Sequence, residues 1–179
     1  MNLNELRTNC AISQKKGLHF ILASVLIWVA IFAVQLMPID ILSKNFYTFC
    51  LTAPLLPLAY IVSKFIKVDF SDNTNPLNQL GILFSVNQML YLLIVIWIYP
   101  TIPDKMLMVL TMIFGAHLLP YSWLYQSKSY LVMSVIIPVL MLILGNLYDG
   151  TVIAGTMILI ETLFCGLLAL ENRGLSKKT

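Results

Sequence analysis

Polar and apolar residues do not alternate along this chain; the apolar ones come in runs. Six can be marked, at Leu18 to Met37, Phe46 to Ser63, Leu77 to Tyr99, Met106 to Leu124, Tyr130 to Leu147 and Thr151 to Leu170. Each is close to the roughly 20 residues that a helix needs to cross about 30 Å of hydrocarbon. A helix in a soluble bundle keeps a polar stripe toward water, and these runs carry almost none. The pattern therefore predicts an all-α polytopic membrane protein with six transmembrane helices and lipid as its outer solvent. The longest connection, Lys64 to Pro76, contains the turn-forming stretch SDNTNP. The other connections are too short for a soluble unit, so residues 1–179 read as a single domain.

Composition agrees with the pattern. The 179 residues are 59% hydrophobic and 11% charged, against about half and about a quarter in a soluble domain. The net charge of +3 reflects where the cations sit and needs no nucleic acid, since no basic tract with interleaved aromatics is present. Arg7, Lys15, Lys16, Lys64, Lys67, Lys128, Arg173, Lys177 and Lys178 fall at one set of helix ends, and only Lys44 and Lys105 at the other. Cations flanking membrane helices are retained in the cytoplasm, so both termini, residues 1–17 and 171–179, are expected there. No cleavage of the N-terminal segment is expected. Leu3, Leu6 and Cys10 share a helical side, which suits an amphipathic segment resting on the inner membrane surface.

Aromatic residues near the run ends suggest two interfacial belts, Tyr47, Trp97, Tyr99 and Tyr148 on the outside and Tyr60, Trp123, Tyr125 and Tyr130 on the inside. The segments APLLP (Ala53 to Pro57) and AHLLP (Ala116 to Pro120) differ at one position, and Ser-Lys follows each. A duplicated hairpin would produce this, but the third hairpin has no such segment, and coincidence in a Leu-rich chain is the preferred reading. Cys10, Cys50 and Cys165 have no CxxC spacing, so neither a disulfide framework nor a zinc site is expected, and no metal or other cofactor is implied.

Candidate chemistry lies in the polar groups inside the runs. Glu161 sits mid-run, where a carboxylate costs on the order of 3 kcal/mol to insert. At about 1.5 Å of rise per residue, Glu161 lies roughly 15 Å from the outer end, Asn87 and Gln88 about 17 Å, and His117 about 17 to 20 Å. One polar layer containing all four is therefore expected. His117 shares a helix face with Tyr121, and Pro120 deprives the carbonyl of Ala116 of its usual donor. Gln88 aligns with Gly81 and Ser85, a stripe that lets another helix come close. His19, near Lys15 and Lys16, reads as an interfacial anchor. Asp40, Asp104 and Asp149 in the outer loops read as turn and helix-start residues, with Asp104 capping the fourth span and Asp149-Gly150 forming a tight turn.

No HExxH, GxSxG or Walker lysine loop occurs, which leaves metalloprotease, serine-hydrolase and ATPase readings without an anchor. The stretches NPLNQLGILFSVNQMLYLLIVIW and FGAHLLPYSWLYQSKSYLVMSVIIP resemble a family of small bacterial six-span membrane proteins defined only as a domain of unknown function. That resemblance implies a bacterial plasma membrane and supplies no activity or catalytic residue. In size and span number the chain also resembles the substrate-binding subunits of energy-coupling vitamin transporters. Their AxxxA pattern is missing from the first span, where only Ala23, Ala30 and Ala33 occur.

Three functions are compatible with these residues. The leading one is binding or translocation of a small polar solute or proton at a midplane site. Glu161 is the ionisable carrier, His117 its proton partner, and Asn87, Gln88 and Tyr121 the orienting groups. The second is a non-catalytic accessory protein that assembles with itself or a membrane partner through the small-residue faces of spans three and six. The third is a lipid-directed enzyme requiring Asp69, Asp72, His19 and Glu171 to converge.

Overall fold

The computed structural model describes residues 2–70 and 74–176. Lys177, Lys178 and the first half of SDNTNP, Asp72 included, lie outside the described residues. Among those described, every regular element is helical: α1 Leu3–Ser13, α2 Leu18–Gln35, α3 Ile41–Thr52, α4 Leu55–Phe65, α5 Pro76–Thr101, α6 Met106–Ala116, α7 Leu119–Leu124, α8 Lys128–Leu147 and α9 Gly150–Ser176, with two 3₁₀ turns between them. Five stretches are long and apolar enough to cross a membrane, and α3 with α4 make a sixth if that pair, bent by 45°, is one span.

Short polar side chains start the helices as elementary capping predicts. Asn2 and Glu5 form a reciprocal capping box on α1, Asp40 accepts from Ser43 N, Asn75 precedes Pro76 on α5, and Ser127 opens α8. Asp149 accepts from the amides of Thr151 and Val152 and so caps α9 instead of merely turning the chain. Asp104 is not a cap: it lies within the 3₁₀ turn Pro103–Lys105, and α6 begins on Lys105 without a side-chain cap.

The prolines of the two similar segments break their helices. The second span starts earlier than the hydropathy run suggests, at Ile41, and is interrupted at Ala53 and Pro54. The fourth is interrupted at His117 and Leu118, just ahead of Pro120, which lacks a donor and crowds the carbonyl four residues back. Pro138 and Pro100, by contrast, are accommodated within α8 and α5.

α2 packs along α9 and α4, and α6 along α8, while α5 lies outside α6 and α7. Gly115 sets the closeness of α6 and α8, since a Cβ there would stand 2.7 Å from Ile137. Tyr125 and Tyr130 belong to this core at 5% and 2% exposure and are not in an interfacial belt. Of the other belt residues, Tyr47, Trp97, Tyr148, Tyr60 and Trp123 are exposed and Tyr99 is half-buried against the core.

α1 is strapped across the end of the molecule where α4, α7 and the C-terminal part of α9 finish, with Cys10 and Ala11 in the core. Arg7 donates to the Trp123 carbonyl and stacks 4.4 Å from that indole. Lys15 donates to the carbonyl of Ile66, and Asn75 Nδ2 to that of Leu6 at 2.8 Å. Lys15, Lys16 and Gly17 turn the chain with φ of 44°, 51° and 67°. Two lysines in this left-handed region are costly, and surrounding bonds hold them there: Tyr130 donates to the Lys16 carbonyl and Asn172 to that of Lys15, each at 2.9 Å. At Gly17 a Cβ would also meet the Tyr130 hydroxyl at 2.9 Å.

Candidate functional site

The packed faces of α2 and α9 meet around Glu161. On α9, Met157, Glu161, Phe164 and Leu168 succeed one another at helical spacing and all have 0% exposure. The carboxyl is therefore turned into the protein interior. Ser24 on α2 donates to Glu161 Oε2, and the Ile21 carbonyl, 3.3 Å from the same hydroxyl, is the alternative acceptor for its one proton. Glu161 Oε1 has no hydrogen-bond partner among the described residues. An enclosed acid with one hydroxyl partner and a bare oxygen is suited to a proton or a small donor-bearing group.

His117 is not that partner. The helix break explains its position: Leu118 N turns back to the Gly115 carbonyl at 3.1 Å, which frees the carbonyl of Phe114. The imidazole Nδ1 bonds that oxygen, so the acceptor beside the ring belongs to Phe114 and not to Ala116. Edge-on contacts with the rings of Phe114 and Tyr121, at 5.2 and 5.9 Å, complete its surroundings. From Tyr121 a set of rings continues through Tyr125 and Tyr130 to Phe164, the last pair 4.8 Å apart. Aromatic rings, not hydrogen bonds, thus lead from His117 toward the neighbourhood of Glu161.

The expected four-residue layer does not assemble. Tyr121 bonds the Gly81 carbonyl at 2.9 Å and meets Ser85 Oγ at 2.6 Å, fastening α7 to the small-residue face of α5. That face is occupied within the chain. Asn87 lies about 160° around the helix from Ser85 at roughly 100° per residue, is exposed, and bonds Tyr91 at 3.0 Å. Gln88 is half-buried and makes no hydrogen bond among the described residues. Equal depth does not bring these groups together because they point in different directions around their helices.

Hydropathy alone does not single out Ser24, although the sequence holds a signal for it. It lies six residues into α2 and Glu161 nine residues before Leu170, roughly 9 and 13 Å from the same end at helical rise. A hydroxyl bridges such a gap less conspicuously than an amide or imidazole.

His19 also departs from expectation. It is 0% exposed, has no hydrogen bond to either ring nitrogen among the described residues, and lies among Phe20 and Phe70 at 4.4 and 5.6 Å. It is thus a core residue and not an interfacial anchor. Glu171 is held by Lys16, Ser127 and Ser129. Among the described residues, no three His, Cys, Asp or Glu side chains are grouped to hold a metal ion.

The architecture defines a class: an all-helical protein of five or six bilayer-length helices enclosing a single-partnered acid. The chain belongs to a family of unknown function, DUF7010, whose family model matches residues 3–171. No curated protein and no protein of solved structure is significantly similar to it.

Proposed function

We infer that this is a multi-pass protein of a bacterial plasma membrane with six spans and cytoplasmic termini, and that it binds or translocates a proton or small polar solute at Glu161. The observation that carries the reading is the enclosure of that carboxyl with Ser24 as partner and Oε1 bare. A charged carboxylate so placed costs on the order of 3 kcal/mol on insertion scales, more than one hydroxyl offsets, and a bound proton or a donor-bearing solute removes that cost. Ser24 replaces His117 as the immediate partner of the acid, and His117 with Tyr121 forms the neighbouring aromatic wall. Asn87 and Gln88 have no part in this site.

The orientation is supported by the cations. Lys44 donates to the Gln35 carbonyl and Lys105 to that of Gly145, each at 2.8 Å. The two lysines that run against the charge asymmetry thus serve the last turns of α2 and α8, where free carbonyls attract cations.

The test is proton flux in proteoliposomes containing a pH-sensitive dye under an imposed potassium diffusion potential. Loss of flux in Glu161→Gln, with helicity retained, and partial loss in Ser24→Ala are expected. Flux at the wild-type rate in Glu161→Gln rejects the reading. Cysteine accessibility at residues 2 and 176 from either side of the membrane reads the topology.

A further inference from the structure

α5 is the most exposed of the bilayer-length helices, with only Val95 and Ile98 buried. One stripe of its broad outward face consists of Leu83, Asn87, Leu90, Tyr91 and Ile94, all exposed and spaced at helical intervals. Four of the five suit acyl chains or a headgroup boundary. Asn87 does not, and it stands near the middle of a helix of 26 residues.

Its hydrogen-bonding capacity is only partly used. Asn87 Nδ2 donates to the Tyr91 hydroxyl at 3.0 Å, which leaves Oδ1, the second amide hydrogen and the phenolic proton without partners among the described residues. In water these groups would be satisfied by solvent. At mid-bilayer, which rests on the membrane-spanning reading above, lipid tails offer nothing to bond, and unsatisfied polar groups are expensive.

We propose that the Asn87/Tyr91 face of α5 is the contact surface for a second copy of this chain. The chemistry selects that occupant. A carboxamide carries donor and acceptor together, so two copies related by a twofold axis satisfy each other, Oδ1 of one amide accepting from Nδ2 of its mate. A twofold contact uses the same patch on both subunits and closes at two. Leu83, Leu90 and Ile94 flank the amides and supply apolar packing. The Gly81 and Ser85 side of α5, already taken by Tyr121, is not involved.

The experiment uses the full chain in phosphatidylcholine vesicles, with dimer fraction read by single-molecule photobleaching over a range of protein-to-lipid ratios. Wild type is expected to dimerise as density rises, and Asn87→Leu to weaken association by about tenfold, the scale of interhelical polar contacts. Asn87→Gln should keep most of it. Thr162→Val, at an exposed hydroxyl already bonded to its own helix, should behave as wild type. A wild-type chain monomeric at every density, a dimer indifferent to Asn87→Leu, or association only with a different membrane protein overturns the proposal. Glu161→Gln should dimerise normally, so failure here is separable from failure at Glu161. A chain that does not float with the vesicles instead rejects the membrane reading on which both rest.

Discussion

The ammonium of Lys16 lies 2.6 Å from a carboxylate oxygen of Glu171, joining two residues 155 positions apart. Lys16 has 6% of its side chain exposed and Glu171 23%. Glu171 also accepts from the hydroxyls of Ser127 and Ser129, both at 2.7 Å. The pair therefore ties the left-handed turn before α2 to the start of α8 and the last turns of α9. Removing one member of such a pair leaves an enclosed charge without a counter-charge, which costs about 3 kcal/mol or more when burial is complete. With this pair partly exposed, Glu171→Gln is expected to cost about 2 kcal/mol, and Lys16→Met combined with Glu171→Gln less than the sum of the single changes. Unfolding in detergent micelles, run as a double-mutant cycle, measures the difference.

Lys44 and Lys105 each bond a carbonyl in the last turn of a helix. Lys44→Met and Lys105→Met should each lower stability by about 1 kcal/mol. Lys64→Met, which gives up only a cation held 4.4 Å above the exposed Tyr60 ring, should lower it by about 0.5 kcal/mol. Thermal unfolding of the three variants, compared side by side, checks the order.

At Gly115 a side chain has no room, because a Cβ would stand 2.6 Å from Pro138 and 2.7 Å from Ile137. At Gly166 nothing lies within 4 Å. Gly115→Val should destabilise by about 2 to 3 kcal/mol through forced separation of α6 and α8, while Gly166→Ala should be neutral or slightly stabilising in its helix. The same unfolding assay distinguishes them.

His19 presents two ring nitrogens that bond nothing among the described residues. Replacing a buried polar group of this kind with an apolar one of similar size is nearly neutral or favourable. His19→Phe is expected to hold or raise the melting temperature. A marked fall would mean that the imidazole has a hydrogen-bond partner beyond the described residues.

Asp40 stands outside the helical spans, and the Ser43 hydroxyl bonded to its carboxylate holds it below the ordinary aspartate range, helped by the Ser43 amide. A carboxyl lowered on folding contributes above its unfolded pKa, about 3.9, and loses that contribution as pH falls through the folded value. Ser43→Ala should move the Asp40 titration, followed by carbon NMR of the labelled carboxyl, back up toward the ordinary value.

How much is legible in the chain follows from which forces are local. Five of the spans can be placed from hydropathy because lipid-length apolar runs need no partner to be recognised. Pro54 and Pro120 mark places where a helix can break, since a missing donor and a crowded ring act within one turn, but Pro100 and Pro138 stand inside unbroken helices, so the residue alone does not tell which of the four interrupts its helix. The caps Asp40, Asn75 and Ser127 are likewise local. Depth is readable because every helix rises by the same amount per residue. Rotation about the helix axis is not. In a helix rich in Leu and Ile, core and lipid make nearly the same demand, so composition scarcely marks which side faces inward. Asn87 and Ser85 are near neighbours in the chain, yet one faces outward and the other binds Tyr121. Only the packing of α2 against α9 makes Glu161 meet Ser24 and not His117, and only the tertiary bonds of α1 strap that segment against the protein. Length and depth arise within a single helix and can be read from the order of residues. Direction and partnership arise between helices, where Ser24 and Glu161 are positioned against each other from 137 places apart.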